Sequence, residues 1–410
     1  MYVVCMRWSD AGHMNTTTSS AKTRWDPVLS GLRADALDCM QCTVAAIADE
    51  AHGTGAHLAL GCEWRFPTRG PDGRLGVQSS VVQRMAQARD VFGFETSEPR
   101  GPLSSAELRR LADDAPVYVV AEAYDLRWLP YARAAVRYRK MPHTFLLERA
   151  GSGYTVVDAY YADTEWGKAR PQAWTLSPAD FDRAVDGQAE AIRVEATGVP
   201  RRMSRAAVMR ENAMAAEAAG PDIDAYIDTA RAAMATREGM DRLLLDIWHL
   251  CRERLLYTAW LGDHEASATV RAVVEQWRQL AGQSYLASRR SRRGAPPNVG
   301  LVDDMARLLR SDAALMLELG RTFRTADTAA VEDVVREAFG VSLRIDASTI
   351  DLTTSLRTLA GFDSFRLVEI VDRIETRLGV PLPPEASAAD LADLAGLCRL
   401  FSGAIERSLS

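Results

Sequence analysis

Cys39, His143 and Asp158 are residue types that together can move an acyl group. A cysteine at the head of a helix sits where the helix dipole favours the thiolate, and Cys39 begins the predicted helix Cys39 to Glu50. His143 opens one predicted strand and Asp158 closes the next, so a hairpin would bring them together at one end. The histidine would then take the thiol proton while the carboxylate orients the ring. A second chemical position is Ser364, at the start of an apolar run with helical periodicity. Free N–H groups and the positive end of a helix dipole suit a phosphodiester on its hydroxyl. The plainer reading is that Asp363 and Ser364 only cap that helix.

Each of these positions has rivals. Cys42 lies three residues beyond Cys39 and competes as nucleophile, though further from the helix start. His52 and His57 follow the cysteine helix closely enough to serve as base, and His143 also fits a satisfied core histidine. Asp158 also fits a strand-end turn residue. Cys39-x-x-Cys42 matches a redox or zinc half-site, but no second pair accompanies it, and the metal expectation is none. Trp64 and Phe66 fit either a core or the wall of an acyl pocket.

The elements that must position these groups fall into an α+β region, a helical region and a small helical bundle. Val81 to Asp90 reads as helix. Pro116 to Ala121, His143 to Glu148 and Tyr154 to Asp158 read as strands, the last two joined by the turn Arg149-Ala-Gly-Ser-Gly153. From about residue 176 strand signals fade. Amphipathic helices are expected over 203–219, 222–236, 238–261, 264–287 and 299–320, with His249 packed among them. The basic stretch Arg289 to Pro297 fits a solvated connector or a docking patch for an acidic partner. Near the C-terminus, Val331, Val335 and Phe339 form one apolar face, closed by Gly340. Leu367, Ile370, Val371, Ile374 and Leu378 form a second, ended by Gly379, Pro381 and Pro383. Leu391, Leu394, Leu397 and Leu400 form a third.

The expected domains are a disordered tail at 1–24, an α+β domain at 25–175, a helical domain at 176–325 and a C-terminal helical bundle at 328–406. A chain of 410 residues with 47% hydrophobic and 25% charged residues has the make-up of two or three ordinary globular domains. A net charge of −6 gives no global case for nucleic acid or membrane as partner. No apolar run reaches the ~18 residues of a membrane span. The first 20 residues lack a signal-peptide layout. Six scattered cysteines make no disulfide framework, so a cytoplasmic location is expected.

The stretch Gly361-Phe-Asp-Ser-Phe365, with Leu367, Glu369 and Ile370 after it, resembles the modification site of an acyl (peptidyl) carrier domain over about residues 328–406. That resemblance implies 4′-phosphopantetheine attached to Ser364, with Asp363 beside it as a cap or recognition residue. It further implies a phosphopantetheinyl transferase and a separate acyl- or aminoacyl-loading enzyme as partners. Phe365 stands where the family most often has leucine, and Arg366 adds a positive charge beside the serine.

Asp38-Cys-Met-Gln-Cys-Thr43, Leu60-Gly-Cys-Glu-Trp-Arg-Phe66, Pro142-His-Thr-Phe-Leu-Leu147, Val156-Val-Asp-Ala-Tyr-Tyr161 and Glu165-Trp-Gly167 are similar to the N-terminal domain of butirosin-biosynthesis-type acyltransferases. That likeness implies a papain-like fold, with Cys39 as nucleophile, His143 as base and Asp158 as third member. It implies transfer of an acyl group from a carrier to a small-molecule amine. Peptidases of this fold place an oxyanion-hole glutamine shortly before the cysteine. Arg33 to Asp38 contains none and Gln41 follows it, so the Cys39 backbone N–H is the default donor. A thioesterase with water as acceptor, a non-catalytic carrier scaffold and a direct condensation in which His143 activates the amine are the rival functions.

Overall fold

The computed structural model describes residues 23–408 apart from 70–72, 74, 135–139, 165, 202–204, 263–266, 379 and 388–389. Most of the expected tail, Glu165 and the expected stop at Gly379 therefore lie outside the described residues. Thr23 and Arg24, expected in the tail, belong to the fold. Arg24 pairs with Glu148 at 2.6 Å and with Glu50 at 2.6 Å. The chain forms two units. The first comprises the chain through Cys62, Gln78–Arg201 and Arg252–Trp260, and the second Glu63–Val77, Arg202–Cys251 and the chain from Leu261 onward. The first two strands in chain order, β1 (Thr68–Arg69) and β2 (Leu75–Gly76), form a two-stranded ribbon in the second unit.

In the first unit, α1 (Asp26–Gly31) precedes α2 (Cys39–His52). A reciprocal cap starts α2: the Asp38 carboxylate accepts from the Gln41 N–H at 2.7 Å, and Gln41 Oε1 accepts from the Asp38 N–H at 3.1 Å. Such caps are worth ~1 kcal/mol. Val44, Ala45, Ala46 and Ala48 are buried, and Gly53, at φ 98°, ends the helix where a Cβ would be strained. Next come α3 (Val81–Phe92), β3 (Glu95–Thr96), β4 (Arg100–Leu103) and α4 (Ser105–Asp114). The remaining strands are β5 (Val117–Glu122), β6 (Pro142–Ala150), β7 (Gly153–Asp158), the small pair β8 (Ala162–Thr164) and β9 (Gly167–Ala169), β10 (Gln172–Leu176) and, after α5 (Pro178–Ala184), β11 (Ala189–Glu195).

The main sheet is antiparallel in the order β10-β7-β6-β5-β11-β3, with β4 also on β11. The β6–β7 hairpin closes as the turn residues require, with Ala150 opposite Gly153. β11 sits between β5 and the edge, with Ala189 opposite Ala121. The sheet thus runs past the boundary expected at 175. The alternation Ala189, Ala191 against Glu190 and Arg193 is a strand period, but alanine and glutamate are weak strand formers.

The second unit is helical: α6 (Arg205–Ala233), α7 (Arg237–Leu261, of which Arg252–Trp260 belongs to the first unit), α8 (Ser267–Ser291) and α9 (Gly300–Leu343). The two helices expected at 203–219 and 222–236 are one, with Pro221 inside it. Proline there removes one helical hydrogen bond, and the long seam with α9 offsets the loss. Gly320 makes that seam possible, since a Cβ on it would lie 2.5 Å from the Ala213 Cβ. Trp64 and Phe66 are core residues of this unit, where the Trp64 N–H donates to Asn212 Oδ1 at 2.9 Å. They do not belong with Cys39, so the stretch Leu60 to Phe66 divides between the units.

The break expected between the helical and C-terminal domains is likewise absent. Helix α9 continues through it to Leu343, where Arg344 turns left-handed at φ 55°. No glycine or proline lies between Gly320 and Gly340 to stop it. With α10 (Ser364–Leu378) and α11 (Leu394–Ser408) the end of α9 forms a bundle around Val335, Phe339, Ile370, Ile374, Leu397 and Phe401.

Candidate functional site

Three bonds fasten the head of α2 to the sheet. The Tyr118 hydroxyl donates to Met40 O at 3.3 Å, the Thr144 hydroxyl to Cys39 O at 2.7 Å, and Thr43 and Thr144 share a 2.9 Å hydrogen bond. Cys39 is thereby fixed at the first helical position, partly exposed, with Sγ 3.5 Å from Pro142 O. The next residue, His143, is buried, and the Cys39 side chain acts on its ring.

Its ring nitrogen Nε2 lies 2.8 Å from Asp158 Oδ2. Asp158 accepts two further bonds, from Trp128 Nε1 at 2.8 Å and from the Tyr160 N–H at 3.0 Å. Burial alone would lower the His143 pKa, but the charge and hydrogen bond of Asp158, helped by Cys39, override it and raise the pKa to about 10. The imidazole is thus held toward its doubly protonated form, with the second proton on Nδ1, the nitrogen away from Asp158. All three sequence-chosen residues meet in one place.

The rivals do not reach this place. Cys42 is buried with its thiol toward Leu37 O, and burial pushes its pKa well up. His57 is buried with both nitrogens engaged, Nδ1 to Asp49 at 2.9 Å and Nε2 accepting from the Arg33 N–H at 3.1 Å. His52 stacks with Phe92 and Phe94. His249 packs edge-on against Trp248 in the second unit. The Gln41 side-chain oxygen is taken up by the cap, where it accepts from the Asp38 N–H. The Cys39 backbone N–H has no acceptor among the described residues.

Two arginines that the sequence reading did not single out hold the site from behind. Arg84 is buried and pairs with Asp38 and, at 3.3 Å, with Glu253. Arg252 donates to Ala34 O, Leu37 O and Tyr161 O, tying the approach to Cys39 to the loop after Asp158. The available signal was charge on helix faces that are otherwise apolar, in Arg84-Met85 and in Cys251-Arg-Glu-Arg-Leu255. Trp128 carried no such signal.

Ser364 is the first residue of α10 and is exposed. The capping role falls to Asp363, whose Oδ1 accepts from the Arg366 N–H at 2.8 Å. The Ser364 hydroxyl makes no hydrogen bond among the described residues, so it is open to modification. Gly361, at φ 78°, turns the chain into this position, and Phe362 stacks on Phe339 to fix the turn. Phe365 and Val368, 86% and 69% exposed, make an apolar surface beside the serine. Arg366 is paired with Glu369 at 2.6 Å.

Residues 333–401 match the family described as the phosphopantetheine attachment site. This segment is a carrier domain that bears covalent 4′-phosphopantetheine on a serine and takes part in phosphopantetheine-dependent biosynthesis with a phosphopantetheinyl transferase and partner enzymes. No curated protein matches the chain. Among the described residues no helix is long and apolar enough to cross a membrane.

Proposed function

We propose that the chain is a cysteine-dependent acyltransferase of natural-product assembly, of nonribosomal-peptide or polyketide type, with a papain-like first unit that works on its own carrier domain. The observation that carries this reading is the meeting of Cys39, His143 and Asp158 in a chain that also contains a phosphopantetheine attachment domain. Ser364 is the attachment point. Its free, exposed hydroxyl at a capped helix start fits a phosphodiester. Once attached, the arm supplies a thiol that presents an acyl or aminoacyl group as a thioester.

The residues of the chain then divide the work. Cys39 Sγ attacks the thioester carbonyl, a C–S bond forms, and the electron pair of the carbonyl moves onto oxygen. As that pair returns, the old C–S bond breaks, and His143 gives its Nδ1 proton to the departing thiol. The acyl group now rests on Cys39. His143, now neutral on that side, takes a proton from an incoming small-molecule amine as the nitrogen attacks, and the Cys39 thiolate departs. Asp158 holds the ring in place through both steps. Donor and catalyst on one chain raise the effective concentration of the thioester. A separate loading enzyme supplies the acyl group.

The test is product analysis after phosphopantetheinylation and loading, with and without an amine. Amide formed only with Cys39 intact supports transfer. Free acid formed at the same rate with and without amine points to a thioesterase instead.

A further inference from the structure

The acyl-transfer chemistry leaves one group of side chains at the site without a task. Tyr160 lies two residues beyond Asp158, and its ring packs edge-on against His143 with centroids 5.2 Å apart. Its hydroxyl lies 3.3 Å from that of Tyr131, and both tyrosines are buried. Tyr131 is braced by Trp166 at 5.6 Å. Arg252, already bound to the neighbouring Tyr161 carbonyl, sits 5.9 Å over the Tyr160 ring. Two hydroxyls carry two protons, and only one proton can lie between the two oxygens. The other must find a different acceptor.

Burial raises the pKa of both phenols, and a thiolate at Cys39 raises each further, so both stay protonated and lie within the field of the nucleophile. The backbone donor at the site is the Cys39 N–H, and the Gln41 side-chain oxygen is taken up by the helix cap.

We infer that the Tyr131–Tyr160 hydroxyl pair is the side-chain oxyanion donor, giving a hydrogen bond to the carbonyl oxygen when Cys39 attacks it. This rests on the acyl-transfer reading above. The thioester carbonyl is neutral before attack and anionic after it, so a hydroxyl proton given to the oxygen stabilises the tetrahedral state more than the ground state. The proton stays on the tyrosine throughout. The charge returns to carbon as the thiol leaves.

The test compares two reactions of Cys39 in the full chain. The acetyl thioester of N-acetylcysteamine acylates it through an oxyanion, whereas iodoacetamide alkylates it without one. Tyr131→Phe, Tyr160→Phe and the double variant are measured against wild type by mass spectrometry. The expected result is acetylation slowed by about 10²- to 10³-fold in the double variant, with alkylation within about twofold of wild type across pH. Normal alkylation also shows that the variants keep a folded site, and Tyr131→Phe spares the ring against His143. Acetylation at the wild-type rate in all three variants overturns the assignment. Alkylation slowed in parallel overturns it too, because the tyrosines would then act on the thiol or on His143. No acetyl-Cys39 in wild type overturns the acyl-enzyme reading, and the tyrosine assignment falls with it.

Discussion

Asp158→Asn should cost the site both a charge and a hydrogen bond, and the two losses can be read separately. The carboxylate accepts from His143 and Trp128 on Oδ2 and from the Tyr160 N–H on Oδ1. An asparagine oxygen placed at the Oδ2 position keeps two of these bonds and turns an NH₂ toward the Tyr160 N–H. Two buried donors then face each other, at a cost of about 1–3 kcal/mol. The lost charge acts on the imidazole. Burial pulls the His143 pKa down, and Asp158 is the main reason it stands at about 10. Without that charge it should fall near or below the ordinary 6.5. A histidine held above its ordinary value contributes stability that is complete below pH ~6.5 and lost as pH rises toward about 10. This part of the variant's deficit should therefore be largest in acid and shrink as pH rises. The assay is imidazole NMR titration of histidine-labelled protein, with His143→Gln to assign the signal, beside chemical denaturation at several pH values. A wild-type His143 that titrates near 6.5, or an Asn variant in which it does not move, would refute the coupling.

The other expectations are simpler. Cys42→Ser should leave acyl-adduct formation near wild type, whereas Cys39→Ser should remove the thioester adduct; equal loss in both would put the nucleophile assignment in error. Arg84→Met removes the cation that buried Asp38 and Glu253 share, while Glu253 keeps Arg254 at 3.7 Å, so denaturation should show a loss of about 3 kcal/mol. A loss under 1 kcal/mol would mean that the pair is solvated in solution. Phe365→Glu puts charge on a side chain that is 86% exposed. It should leave the thermal midpoint within a few degrees while slowing modification or loading of Ser364; unchanged rates would show that partners do not use this surface.

The groups of the candidate site were legible because local rules fix them. Asp38 and Gln41 form a capping box that places Cys39 at a helix start, and the turn at 149–153 forces a hairpin that brings His143 and Asp158 to one end. The apolar periodicity after Ser364 drew α10 almost to the residue. What was not legible depends on partners distant in sequence. β11 pairs with a strand some 70 residues earlier, and its alanines and glutamates mark no strand alone. Arg84, Trp128 and Arg252 gain their roles only where the fold brings them to Asp38, Asp158 and the Leu37 carbonyl. Pro221 and the domain boundary expected at 325–328 misled for one reason: long packed helices override a single breaker and need an actual one to stop.

The central claim is covalent relay from the carrier arm to Cys39. Its most direct test is intact and peptide mass spectrometry of the protein after phosphopantetheinylation and acyl loading, with wild type beside Cys39→Ala and Ser364→Ala. Acyl adducts on both the Ser364 arm and Cys39 are expected in wild type. Only the second should vanish in Cys39→Ala, and both in Ser364→Ala. An acyl group found only on the Ser364 arm, unchanged when an amine is offered, would contradict the account and leave the first unit as a scaffold for the carrier.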